Sequence, residues 1–251
     1  MPVDLPEYVS VPLGRSPLVL VAAQINFEEI GREVTHAQAR SVQKLVSPDW
    51  IQLQSAPLVE ATMTPSGAVN EPNRQAYRLL TADGSWSLLL NRDSATIETR
   101  AYPGWAEFHT RIEELASAVA QVFDPATEQR LGLRYVDQIP LPDGRTDWKG
   151  LVPDALLGVS LDPRFAGRVL ASDQRLLLQL DGDVRCVFRH GLLADADGRL
   201  GASYLLDYDV YRENRGYEAA GTAAGADDLH DYVGRLFRAC LSDELYEWLR
   251  G

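Results

Sequence analysis

A chain of 251 residues, 45% of them hydrophobic, is long enough to bury most of its apolar surface in one large core or two smaller ones, without disulfide or metal support. Its formal net charge of −12 argues against binding nucleic acids, whose phosphates are contacted by many cations. Cys186 and Cys240 lack CxxC spacing and the N-terminus lacks a basic and apolar leader, which predicts reduced thiols and a cytoplasmic protein without a membrane span.

The first half of the chain begins with a proline-punctuated lead over residues 1–16. Residues 17–27 are predicted to form a buried strand, and residues 35–47 a short helix. Turn signals separate four further segments, which predicts successive antiparallel hairpins. These four predicted strands cover residues 50–63, 75–81, 85–91 and 95–101.

Residues 102–139 hold the clearest pattern, a long amphipathic helix that leads into an apolar strand. Apolar residues recur at steps of three and four from Trp105 to Phe123, which predicts a helix of about 20 residues with one buried stripe. Asp124 and Pro125 end this helix, since proline disfavours helical geometry in the residue before it. The strand is predicted over residues 131–139.

The second half repeats this order of elements. After the strand at 131–139 come a short helix, four strands, a Gly/Ala-rich loop and a closing helix. They are predicted over residues 148–157, 169–172, 175–181, 184–190, 202–211, 216–226 and 227–249. The segments LVLVAAQI (18–25) and GLRYVDQI (132–139) also align without gaps.

This repeated order predicts an α+β fold made of two pseudo-repeats of β-α-β4-α. The repeats would cover residues 17–125 and 126–251 and form one compact unit. An antiparallel sheet with one apolar face needs a cover, and the two long helices have the widest apolar stripes. We therefore expect these helices to cover one face of the sheet.

The motifs YxxWxxF at 102–108, LGLRYVD at 131–137 and LLDYDV at 205–210 resemble a sporadically distributed family of uncharacterised bacterial proteins, over nearly the whole chain. Members of that family usually carry asparagine at the position of Asp137. Its patchy distribution resembles that of genes on mobile or defence-associated islands, which implies a partner-binding role. The order of elements also resembles TATA-binding-protein-like repeats, in which a curved sheet carries two helices on its convex side.

Four residues form the candidate ligand-binding site: Arg134, Asp137, Asp207 and Asp209. Asp207 and Asp209 lie two apart on a predicted strand, so their carboxylates project from one face. They are interpreted either as a metal or acid–base site, or as a structural cluster that Arg134 neutralises. The second interpretation requires the first and last strands of the second repeat to be neighbours, and Tyr135 and Asp137 would then share the other face of their strand.

Motifs for other chemistries are missing from the sequence. The four histidines, His36, His109, His190 and His230, show neither HExxH nor HxH spacing, which predicts no zinc site. GxSxG, GxGxxG and GxxxxGK do not occur. The sequence therefore predicts no catalytic residue, no metal and no cofactor.

Two functional hypotheses follow. The first is a non-enzymatic, cytoplasmic protein-binding module that engages another protein through its sheet face or acidic surface, within a mobile or defence/toxin-neutralising locus. The alternative is a small-ligand-binding or enzymatic domain with a polar site in the concavity between sheet and helices. Neither a membrane nor a nucleic acid is expected as partner. Residues 204–212 are a candidate edge strand, and edge pairing is one route to a homodimer.

Overall fold

A computed structural model of the chain describes residues 3–28, 33–56, 61–64, 67–70, 75–165, 168–169, 171–195, 197–198 and 201–251. The strands are β1 Leu18–Phe27, β2 Gln52–Ser55, β3 Ala61–Thr64, β4 Gly67–Asn70, β5 Tyr77–Leu80, β6 Trp86–Leu90, β7 Ser94–Thr99, β8 Thr127–Pro140, β9 Gln174–Gln179, β10 Arg185–Leu193 and β11 Ser203–Gly216. The helices are α1 His36–Leu45, α2 Trp105–Phe123, α3 Asp154–Leu157, α4 Ala219–Ala239 and α5 Asp243–Arg250, with a 3-10 helix at Gly158–Leu161. Of the helices within these residues, none has the length and apolarity needed to cross a membrane.

Nine strands form one sheet in the order β2-β5-β6-β7-β1-β8-β11-β10-β9, and β3 and β4 form a separate hairpin. Pairs such as β5–β6, β6–β7 and β10–β11 are antiparallel, which confirms the predicted α+β class with a large antiparallel sheet. β11 lies between β8 and β10, so the prediction that residues 204–212 form an edge is wrong. The alternating charges of β11 arise because one face of an internal strand is polar.

The chain divides into two compact units that both use distant parts of the sequence. Unit 1 comprises Met1–Val21, Leu133–Arg212 and Asp228–Gly251, and unit 2 comprises Ala22–Gly132 and Glu213–Asp227. Contact-based units are a different division from sequence repeats. The boundary at residues 125 and 126 therefore stays a prediction.

Unit 2 contains the long helix that the apolar spacing predicted. α2 begins after Gly104, whose φ of 128° favours glycine, and ends at Asp124 in the left-handed conformation. Phe108 is fully buried and stacks on Trp86 of β6 with ring centroids 5.5 Å apart. The aromatic stripe of α2 thus belongs to the core of unit 2, as helical periodicity predicts.

Unit 1 contains a sheet whose strands β8, β11, β10 and β9 bury one face more than the other. On β8, Leu133, Tyr135 and Asp137 are buried, whereas Arg134 is exposed. The face that carries Tyr135 and Asp137 is called here the buried face, and the opposite one the open face. Tyr135 reaches α4 on the buried face, since its hydroxyl lies 3.2 Å from His230 Nδ1.

Several predicted boundaries are wrong in the second half. Residues 216–226 were expected to be a loop, but α4 already starts at Ala219; alanine is the best helix former, and the Thr222 hydroxyl donates to buried Glu128 at 2.6 Å. The closing helix is interrupted before α5, because the Ser242 side chain caps a new helix by accepting from the Leu245 N–H.

The connection between β8 and β9 was also predicted with too much regular structure. The helix expected over 148–157 is limited to α3, and residues 169 and 171–173 are irregular, although a strand was expected there. Ser172 still donates one backbone hydrogen bond to the Leu192 carbonyl at 3.0 Å. Part of the strand expected over residues 50–63, at 57–60, lies outside the described residues.

Candidate functional site

The open face of unit 1 carries an ion pair between β8 and β11. Arg134 donates from Nε and Nη2 to the two carboxylate oxygens of Asp207, each at 2.8 Å. This bidentate geometry confirms the expected neighbourhood of the two strands and the expected neutralisation by Arg134. The hydrogen bond to Asp207 raises the pKa of Arg134, so the pair stays charged at any ordinary pH.

A second bidentate pair lies beside the first one. Arg189 of β10 donates from Nε to Asp173 Oδ1 at 2.7 Å and from Nη2 to Asp173 Oδ2 at 2.6 Å. Arg189 lies directly opposite Asp207 in the β10–β11 register, which places both pairs on the open face. The hydrogen bond from Arg189 lowers the pKa of Asp173.

These pairs surround a concavity of about 510 Å³, which we call the charged groove. Its lining consists of Arg134, Asp173, Arg175, Val187, Arg189, Asp207 and Asp209. Three guanidinium groups therefore face three carboxylates, and the groove has no net charge. Among the described residues, Arg175 has neither an ion pair nor a side-chain hydrogen bond, so its guanidinium group is available to a ligand.

Asp137 lies apart from the other three candidate residues, on the buried face of β8. Only 5% of its surface is exposed. Burial raises its pKa to about 7, and the negative charge of Asp207 adds to the effect. No hydrogen bond between described residues reaches its carboxyl group. The charged groove thus contains Arg134, Asp207 and Asp209 but not Asp137, because neighbouring positions of a strand face opposite sides.

The surroundings of Asp137 are polar but contain weak acids. Burial and nearby charges that include Asp137 raise the pKa of Tyr8, Tyr208 and Cys240. The pKa of Cys240 rises to about 11, so its thiol is protonated at neutral pH and a poor nucleophile. The Tyr208 hydroxyl is buried and lacks a well-directed hydrogen bond to any described residue. Cys186 is also buried, and both cysteines are free thiols.

The histidines are placed as parts of the packing. His190 is buried, stacks on Phe188, and holds the Tyr204 hydroxyl at 2.9 Å from Nδ1. His109 Nε2 lies 3.1 Å from a backbone carbonyl of α4. Within the described ranges, no group of three or more histidine, cysteine or acidic side chains is arranged to hold a metal ion.

A further concavity in unit 1, of about 660 Å³, lies around Trp148. Its lining combines apolar residues such as Leu157 and Leu192 with the charged Lys149 and Asp154. Trp148 is held in place because its Nε1 donates to the Gly201 carbonyl at 2.8 Å. Sequence reasoning missed this feature, since its lining comes from loops whose packing follows no periodic pattern.

Comparison with known proteins adds no identification. No protein-family model matches the chain, and a comparison with curated proteins found no match. The family resemblance of the three motifs therefore stays a prediction, and the functional proposal depends on the geometry of unit 1.

Proposed function

We propose that this protein is a non-enzymatic binding module that engages another protein through the charged groove of unit 1. The observation that carries this proposal is the solvent-accessible array of two bidentate ion pairs with Arg175 beside them. Fixed, oppositely charged groups on a sheet face favour recognition, because they select partners by complementary charge and orient them.

Proton transfer is a poorer use of this groove. A general acid or base works best with a pKa near the operating pH. Here the Arg189 guanidinium holds the pKa of Asp173 below its usual range, while Arg134 and Arg189 have raised pKa values. Groups with such strongly fixed charges bind ions well but exchange protons poorly at neutral pH.

The partner that fits is a polypeptide segment with both charged and apolar side chains. Arg175 is available for a carboxylate, and guanidinium groups bind carboxylates in a planar, two-pronged geometry. Val187 lies in the middle of the lining, and Leu177 lies opposite Val187 on β9 with 66% of its surface exposed. An acidic side chain next to an apolar one would match this arrangement.

The remaining predictions on architecture and context belong to the same proposal. From β1 the strand order runs through β7, β6 and β5, and from β8 it runs through β11, β10 and β9. In each half, the first and last strands are thus neighbours, which supports two pseudo-repeats with one long helix against each half of the sheet. We propose a cytoplasmic protein of a mobile or defence/toxin-neutralising locus, in line with the resemblance of its motifs.

A charge reversal in the groove tests the proposal. We expect Arg175→Glu to lower recovery of the protein partner by at least about tenfold, because it places a like charge against the partner's carboxylate. The measurement is affinity purification of the tagged protein from its own host at moderate salt, followed by mass spectrometry. Arg78→Glu is the matched control, since Arg78 is exposed on β5 in unit 2. Equal recovery with both variants would contradict the proposal.

A small-ligand-binding or enzymatic role is the second candidate, and Asp137 favours it. A nearly fully buried carboxyl group with a raised pKa and no hydrogen bond is typical of functional sites, where strained groups are retained for binding or chemistry. The unpartnered hydroxyl of Tyr208 lies on the same buried face. If the purified protein retains a metabolite and no protein partner, this second role replaces the first.

A further inference from the structure

The edge strand β9 lacks the features that usually protect a sheet edge. Leu176 and Leu177 have 44% and 66% of their surfaces exposed, and the strand contains no lysine, proline or acidic residue. The strand at the opposite end of the order, β2, is a short and polar QLQS segment. Proteins normally blunt their edges by short length, charge or proline. β2 is thus protected, whereas β9 is open to pairing.

The backbone of β9 is divided between two sides. Ser172 N–H donates to the Leu192 carbonyl at 3.0 Å, and Leu180 N–H donates to the Val184 carbonyl at 2.9 Å. Hydrogen-bonded and non-hydrogen-bonded pairs alternate along an antiparallel ladder, so the even-numbered residues of β9 bond to β10. The odd-numbered residues Arg175, Leu177 and Gln179 therefore direct their backbone groups away from the sheet.

We infer that β9 pairs antiparallel with β9 of a second copy of this chain, about a two-fold axis at Leu177. In this register Leu177 lies opposite itself, and Arg175 lies opposite Gln179 of the second copy. All three outward-facing residues then find backbone partners. Leu176 lies opposite Leu178 on the other face, so apolar side chains meet on both faces of the joined sheet. The inference is independent of the partner proposed for the charged groove.

The charges of β9 also fit a second copy. The strand starts with Arg175 and leads into the turn Asp181-Gly182-Asp183. Antiparallel pairing brings the basic end of each strand towards the acidic turn of the other copy. Asp173, at the basic end, is already neutralised by Arg189. No like charges lie directly opposite each other from Arg175 to Gln179, and such self-complementarity is what a two-fold interface requires.

The contact area sets the expected strength of the dimer. β9 has six residues, which is far from the roughly 20 residues on each side that stable interfaces use. We therefore expect a reversible dimer with a Kd of about 10 μM to 1 mM. Backbone pairing supplies most of the contacts, and Leu177 supplies the central side chain.

Sedimentation velocity of the full chain tests the inference over concentrations around the expected Kd, about 10 to 500 μM. The apparent mass should rise from 27.8 kDa towards twice that value. Leu177→Lys should weaken association by at least about tenfold, because it places like charges at the axis. Ile51→Lys, at a residue that is 59% exposed next to the other edge, should leave association unchanged. A monomer at every concentration, or equal loss in both variants, would overturn the inference.

Cross-linking tests the register itself. The two-fold axis brings the two Leu177 Cα atoms to about 5.5 Å, within disulfide range. Leu177→Cys should therefore form an intermolecular disulfide under mild oxidation, whereas Val9→Cys, at a residue that is 75% exposed, should not. The native cysteines are both buried and add no background. Equal cross-linking of the two variants would indicate random collisions and refute the register.

Discussion

Asp137 is the residue at which the sequence works most directly against stability. Its carboxyl group is buried with no cation beside it, and its pKa is raised from 3.8 to about 7. Below about pH 4 the group is neutral in both the folded and the unfolded chain, so it has no net effect. As the pH rises through the folded pKa, the folded protein must bury a charge. The stability present at low pH is thus lost by about pH 8.

We expect Asp137→Asn to be more stable than the natural protein at about pH 8, by roughly 2 to 4 kcal/mol, because the amide remains neutral. The difference should shrink as the pH falls and vanish near pH 4, where the natural carboxyl group is protonated as well. Urea unfolding of both proteins across this pH range measures it. A difference that does not change with pH would show that Asp137 is solvated or paired.

At the same scale, the sequence predicts part of the candidate site. The spacing of Asp207 and Asp209 places both carboxylates on one face, and the structure adds Arg134 at 2.8 Å from Asp207. The contributions of Asp173 and Arg189 could not be predicted. They meet because of the turn before β9 and the register of β10, and neither feature leaves a periodic signal in the sequence.

At the scale of elements, α5 depends on a capping residue. The Ser242 hydroxyl accepts a hydrogen bond from the Leu245 N–H at 3.2 Å. We expect Ser242→Ala to lower the free energy of unfolding by about 1 kcal/mol, because that N–H loses its partner at the first turn. Thermal and urea unfolding measure the loss.

Ser117→Ala is the control for this substitution. Ser117 lies in the interior of α2, where its backbone N–H already has a helical partner, so alanine there should be neutral or slightly stabilising. Equal destabilisation by both variants would mean that the cap contributes nothing to α5.

The elements themselves were predictable to different degrees, for physical reasons. α2 was predicted because its apolar residues recur at helical spacing over 19 residues. The start of α4 was missed because its first turns consist of small residues, which carry no amphipathic signal. Its tertiary contact between Thr222 and Glu128 joins residues that are 94 positions apart.

At the scale of the whole molecule, the strand order is the feature that local patterns predict least. The position of β11 between β8 and β10 depends on long-range pairing, which propensity does not encode. The N-terminal lead is a similar case. The Tyr8 ring lies where a Cβ on Gly234 of α4 would be, 2.1 Å from Tyr8 Cδ1, so only glycine leaves room for it. Proline content alone predicted a lead but not its docking site.

The charge of the whole molecule leads to the last prediction, which concerns nucleic acids. The order of elements resembles repeats that bind DNA, but this chain has a net charge of −12, and the arginines of its charged groove are matched by equal numbers of carboxylates. Phosphate binding needs an excess of cations. We therefore expect no saturable binding to duplex or single-stranded DNA in fluorescence anisotropy, even at about 50 mM salt. Saturable binding that weakens steeply towards about 200 mM salt would contradict this, and would mean that local arginines outweigh the overall charge.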